Sequence, residues 1–332
     1  MRLLHTRTLE LHSFTSPEEV EEGYAILSHV WEDHEQTYQE LQAIHTQCEA
    51  SGEDPRGLVS PKIRRFCEVA AQQGYQWGWA DTCCIDKTSS AELSEAINSM
   101  FQYYSLSQVC FVYLADVPTA DALTERPSWF TITHADSRVK SSPFQTSKWH
   151  SRGWTLQELI APRVVLFFTD AWHFLGSKAD LADLLYETTS IPIDLLKMTK
   201  MLQDFSIAQR MSWAASRQTR RKEDIAYCLM GIFDVNMPPL YGEGQKAFQR
   251  LQEAILRQSP DTTLFAWGPH GELGVLEYYQ TLAEKQTEVS KLFASSPEDF
   301  RFSKDTVYSS TPVRGMTTSP STNTVSGLCY GL

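Results

Sequence analysis

The sequence predicts an α/β protein, a parallel sheet of right-handed βαβ units followed by a mostly helical region. Three observations carry this. Tyr24-Ala25-Ile26-Leu27-Ser28-His29-Val30-Trp31, Gln108 to Leu114 and Val164 to Phe168 are apolar runs of strand length, the pattern of strands buried on both faces. Segments of helical period alternate with the strands, as crossovers between parallel strands require. From about residue 190, strand signals give way to helical stretches at Phe205 to Arg217, Glu223 to Phe233 and Gly244 to Arg257.

Taken in order, Leu9 to Phe14 alternates apolar and polar residues and reads as a first strand, broken by Ser16-Pro17. The run from Tyr24 ends in Ser28, His29 and Trp31, which places polar atoms at the carboxyl end of a buried strand, where α/β sheets bind ligands. His34 to Ala50 carries Tyr38, Leu41 and Ile44 at helical spacing. Ser60-Pro61 starts the next helix with a hydroxyl cap and proline in the first turn, and Gly74 stops it. Gln76 to Asp81 is a further strand, delivering Asp81 and then Thr82-Cys83-Cys84-Ile85-Asp86-Lys87 to a loop. Ser89 with Glu92 is a capping-box pattern, and Leu93, Ile97, Met100, Phe101 and Tyr104 form the core-facing stripe of the helix behind it. Residues 119–146 read as a polar connection. Trp154 to Leu159 forms a short helix, Trp172 to Leu175 a strand, Lys178 to Glu187 a helix, and Pro260 to Gly268 a strand or clasp.

This organisation predicts three segments: 1–190 as the α/β domain, 191–268 as an appended helical region, and 269–332 as a poorly structured or partly ordered tail rich in Ser and Thr. With 332 residues and 42% apolar content the chain has material for a sizeable core. The net charge of −12 and the scatter of Lys and Arg argue against nucleic acid as a partner; the short run Arg217 to Lys222 reads as a solvated helix start. The seven cysteines are odd in number and set among apolar neighbours, which suits reduced thiols in the cytoplasm. Cys83-Cys84 lacks the spacing of a zinc site, and no metal is expected. Neither an apolar leader nor a membrane span is expected.

The stretch with most chemistry is Trp149 to Pro162. Arg152, Trp154 and Glu158 lie close in sequence, and Trp154 and Glu158 stand i, i+4 on one helix face, so an aromatic surface and a carboxylate meet. The plain alternative makes Trp154 core and Glu158 a solvated helix charge paired with Arg152.

Three blocks in order, Tyr24 to Trp31, Trp79-Ala80-Asp81-Thr82-Cys83-Cys84-Ile85-Asp86-Lys87 and Arg152-Gly153-Trp154-Thr155-Leu156-Gln157-Glu158-Leu159, closely resemble the fungal heterokaryon-incompatibility (HET) domain family. Glu223 to Gly231 and Tyr241-Gly242-Glu243-Gly244 look like the helical region that often follows that domain. A more distant likeness is to TIR domains, through Ile26-Leu27-Ser28 with Glu32-Asp33 and through Trp154 to Leu159, where Thr155 stands in place of the usual cysteine. The resemblance implies a TIR-like, flavodoxin-like sheet and a role in fungal non-self recognition and programmed cell death. It implies partners among other incompatibility or NLR-type proteins and a homo-oligomer. It also places Glu158 where enzymatic TIR domains carry the glutamate that cleaves the nicotinamide-ribose bond of NAD.

On that reading Glu158 is the catalytic carboxylate, and Ser28, Trp31, Asp81, Arg152 and Trp154 line the substrate. Trp31 or Trp154 would stack on a ring, Arg152 would meet the pyrophosphate, and Ser28 would hydrogen-bond ribose or phosphate. NAD is then a substrate and no cofactor is expected, since neither GxGxxG nor a P-loop is present. The competing expectation is a signalling module without chemistry, acting by self-association or partner binding, with the same residues serving folding or an interface.

Overall fold

The computed structural model describes residues 1–119, 122–123, 142–268 and 292–309, with the backbone of 324–325. Most of the connection expected over 119–146 and most of the tail expected over 269–332 lie outside the described residues. The chain divides into two compact units, Met1–Thr188 and Thr189–Leu332.

The first unit is built on a seven-stranded sheet. Its strands are β1 (Arg2–His5), β2 (Leu11–Ser13), β3 (Ala25–His29), β4 (Trp77–Trp79), β5 (Val109–Tyr113), β6 (Val165–Phe168) and β7 (Phe174–Ser177), in the spatial order β2-β1-β4-β3-β5-β6-β7. The central four run parallel. Their order, second-first-third-fourth along the chain, is that of a flavodoxin-like sheet, with its switch point between β3 and β5. Every residue of β3 is buried, and so is every residue of β5 but the last, which is why both read as continuous apolar runs.

The edges are antiparallel additions. The expected strand over Leu9 to Phe14 shortens to β2, because Leu9 turns the chain at φ 64°. The sequence reading missed β1, whose Leu3 and Leu4 are fully buried. Two leucines make no period on their own; β1 becomes a strand by pairing with β4.

Local chemistry explains the helices. α1 (Tyr38–Ser51) begins with a reciprocal Thr37/Glu40 capping box and ends at Gly52 in the left-handed region. α2 (Pro61–Gln72) starts on Ser60, whose hydroxyl accepts from Ile63 N, and buries Ile63, Phe66, Cys67, Val69 and Ala70. A Cβ at Gly78 would stand 2.9 Å from the Phe66 ring, so glycine in β4 lets α2 lie close against the sheet. α3 (Ser90–Ser105) forms only half of the expected capping box. Ser89 accepts from Glu92 N, but the Glu92 carboxylate turns to Asp86 N and to a bidentate pair with Arg2. Among the described residues of this part of the chain, α4 (Pro143–Thr146), α5 (Thr155–Ile160) and α6 (Ala182–Thr189) are the remaining α-helices.

The second unit is mainly short helices: α7 (Ile193–Leu196), α8 (Ile207–Ser212), α9 (Asp224–Tyr227) and the longer α10 (Lys246–Gln258). The two sequence blocks singled out here are tied together. Glu223 Oε1 accepts from Gly242 N at 2.9 Å and Gly244 N at 3.0 Å, and the Tyr227 hydroxyl donates to Glu243 Oε1 at 2.8 Å. Gly242 and Gly244 have φ of 107° and 60°, which only glycine adopts without strain. The segment expected as a strand or clasp over Pro260 to Gly268 is instead a 3-10 turn, Thr262–Phe265, because Asp261 accepts from Thr263 N and closes the chain on itself. Arg217 is buried and is not part of a solvated helix start. The cysteines Cys48, Cys67, Cys83, Cys84, Cys110 and Cys228 are free thiols and buried. Among the described residues, no helix is long and apolar enough to cross a membrane.

Candidate functional site

The carboxyl end of β3 faces the switch point, and the residues expected there form two adjoining groups. The first is buried. Glu158, on α5, is 6% exposed, and its Oε2 accepts from Ser28 Oγ at 2.5 Å. Ser28 is fully buried at the end of β3 and accepts in turn from Trp149 Nε1 at 2.8 Å. The Tyr104 hydroxyl adjoins the same carboxyl and donates to Leu27 O at 3.0 Å. Thr155 fastens α5 to the turn before it, donating to Trp149 O at 2.5 Å and Arg152 O at 2.9 Å. At the other end of α5, the buried Lys178 ammonium donates to Leu159 O at 3.1 Å and Pro162 O at 2.7 Å, meeting carbonyls that the helix leaves open.

The second group lies in the loops after β3 and β4. Trp31 Nε1 donates to Asp81 Oδ2 at 2.8 Å, and His29 Nε2 lies 3.2 Å from Asp81 Oδ1. Lys62 Nζ sits 3.3 Å from His29 Nδ1 and pairs with Glu35 at 2.6 Å and Glu32 at 2.8 Å. An ammonium can only donate, so Nδ1 accepts and the ring proton rests on Nε2, aimed at Asp81. Two further cations stand over the Trp31 ring: Lys87 Nζ at 3.6 Å and Arg152 Cζ at 5.4 Å from its centroid.

Charge joins the groups. Burial, and then repulsion from Asp81, pushes the Glu158 carboxyl up to about 8 against the opposing pull of Ser28, Arg152 and Tyr104. Burial also works against the Asp81 carboxylate, but the His29 hydrogen bond and the charges of Lys87 and Arg152 outweigh it and hold its pKa well below the usual carboxylate range. Two carboxyl groups are thus driven apart, one kept as an acid near neutrality and one as an anion, which is the division that acid-base chemistry uses.

Of the residues predicted from sequence, the structure brings Ser28 to Glu158 and Trp31 to Asp81 and Arg152. Trp154 stands half-buried at the start of α5, one turn before Glu158. Glu158 is not the solvated helix charge of the plain alternative. The sequence reading gave no role to Trp149, Lys87 or Lys178 and assigned Tyr104 to core packing. Trp149 opens the stretch Trp149 to Pro162 and Lys87 closes the block from Trp79, and those positions were their available signal. A cavity of about 360 Å³ lies elsewhere in this unit, against Phe14, Trp79, Glu92, Glu95 and Tyr103, and no predicted site residue lines it.

Comparison with known proteins finds that residues 24–158 match the family described as heterokaryon incompatibility protein (HET). The match begins one residue before β3 and ends on Glu158. Residues 246–319 match a domain of unknown function, DUF8212. The chain is similar to the vegetative incompatibility protein HET-E-1 of Podospora anserina, at 44% identity over 237 residues covering 70% of this chain and 16% of that protein. The chain therefore spans about one-sixth of the length of the curated relative it matches. No solved structure matches.

Proposed function

We propose that the chain, whose residues 24–158 match the heterokaryon-incompatibility family, acts in fungal non-self recognition and the cell death that follows, through TIR-like hydrolysis of NAD centred on Glu158. The observation that carries the chemistry is the opposed pair at the switch point: Glu158 raised by burial, Asp81 held ionised, with an indole and two cations beside them. Cleavage breaks the bond between ribose C1′ and the nicotinamide nitrogen. Nicotinamide leaves with the electron pair, and water supplies the oxygen that closes C1′ and releases a proton. The oxocarbenium-like state is favoured by a nearby carboxylate, which Glu158 provides once ionised. Ser28 has its hydroxyl engaged by Glu158 and Trp149, so it orients the carboxylate and does not itself reach the sugar. A cytoplasmic location, and partners among other incompatibility proteins or a second copy of the chain, go with this reading.

A second reading, a signalling module without chemistry, is favoured by the same carboxyl being 6% exposed and hydrogen-bonded within the fold. Nicotinamide release by the purified protein at high concentration separates the two. Release by wild type that Glu158→Gln and Glu158→Ala both lose, with each variant folded, supports the hydrolase. Inert wild type, even when crosslinked into oligomers, leaves the signalling module.

A further inference from the structure

We propose that Lys87 is a displaceable cap on Trp31 and the second cation of a subsite that takes a flat aromatic ring together with its attached phosphate. The inference rests on reading this group of residues as a dinucleotide site and names how the non-reacting part of the ligand is held.

Several observations converge. The Lys87 ammonium lies 3.6 Å from the centroid of the Trp31 ring, so it covers an indole face on which a base would stack. Arg152 stands at 5.4 Å from the same centroid, which brings two positive side chains to one ring. The nearby carboxylates are held by other donors: Asp81 by Trp31 and His29, Glu35 by Lys62 and Glu32 N. Among the described residues Lys87 makes no ion pair, and its company at the ring is a like charge. Burial lowers its pKa against the attraction of Asp81, so its ammonium is poorly solvated where it stands.

Like charges gathered beside an aromatic face, with the local carboxylates engaged, are suited to an anion that arrives with its own ring. The ring replaces Lys87 on Trp31, and the phosphate receives the displaced ammonium beside Arg152, in a charge-assisted contact. A ring without phosphate must displace the same ammonium and gives it nothing in return. Lys87 therefore favours phosphorylated ligands twice over, by attracting them and by obstructing neutral ones.

Isothermal titration calorimetry on the full chain tests this with ADP-ribose and adenosine, neither of which carries the nicotinamide bond and so neither is consumed by NAD hydrolysis. In Lys87→Ala the ratio of ADP-ribose affinity to adenosine affinity is expected to fall at least tenfold from its wild-type value, with adenosine binding more tightly than to wild type. Lys87→Arg, which keeps the charge, is expected to hold the ratio within about threefold. A ratio unchanged in Lys87→Ala, or wild type that binds neither probe at millimolar concentration, overturns the proposal. If the alanine variant does not fold, Lys87→Gln carries the same comparison. The hydrolase reading fails separately, by absence of nicotinamide release from a protein whose affinity ratio still responds to Lys87.

Discussion

Glu158 sets a measurable sign on the stability of the protein. Its carboxyl is raised from 4.5 to about 8 in the fold, so the folded chain holds a proton that the unfolded chain releases. Below the ordinary value both states are protonated and nothing is lost. As pH rises from about 4.5 to about 8 the unfolded state ionises first, and stability falls until the folded carboxyl also ionises. The loss is on the order of a few kcal/mol. Glu158→Gln keeps the acceptor for Ser28 and removes the titration. Thermal melting across pH 5 to 9 is expected to show a steeper decline for wild type than for Glu158→Gln; parallel declines would mean that the carboxyl is not held as an acid. The same proton bears on chemistry: if the ionised form is the one that acts, nicotinamide release rises with pH through about 8. None of this was legible at Glu158 itself, because the serine that buries it stands 130 positions away in the chain.

At the scale of elements, what could be read was local. The Ser60-Pro61 start of α2, the strand runs at β3, β5 and β6, and the short helix carrying Glu158 are each announced by neighbouring residues. What could not be read depends on distant partners. β1 exists through its pairing, and the capping box at Ser89 is left half-made because Arg2 draws Glu92 away. α5 shows both cases. Its six residues are too few to be stable alone, and it is held by Thr155 at its start and Lys178 at its end. Thr155→Val preserves shape and leaves the Trp149 carbonyl without its donor inside the fold. We expect it to cost about 1 to 3 kcal/mol, seen as a lower urea midpoint with an unchanged slope. No change in midpoint would mean that the hydroxyl contributes nothing to seating the helix.

The whole molecule is two bodies, each with its own buried aromatic centre: Trp79 and Trp149 in the first, Trp213 and Phe248 in the second. The parallel sheet of the first was legible because strands buried on both faces leave long apolar runs. The helical character of the second was legible in outline only, since a unit of short helices and 3-10 turns owes its shape more to packing than to period. The thiols bear on this scale. Cys67, Cys83 and Cys110 in the first unit and Cys228 in the second are at most 1% exposed, and burial pushes the Cys67 and Cys110 thiols up. An alkylating reagent reaches them only when their surroundings open. Along a urea series, peptide mass spectrometry is expected to show Cys67, Cys83 and Cys110 becoming labelled together, with Cys228 following a midpoint of its own. Prompt labelling of Cys110 without denaturant would contradict the packing described for β5. The cysteines are thus a set of chemical clocks sealed into the protein, and one timed reaction reads how often each body comes apart.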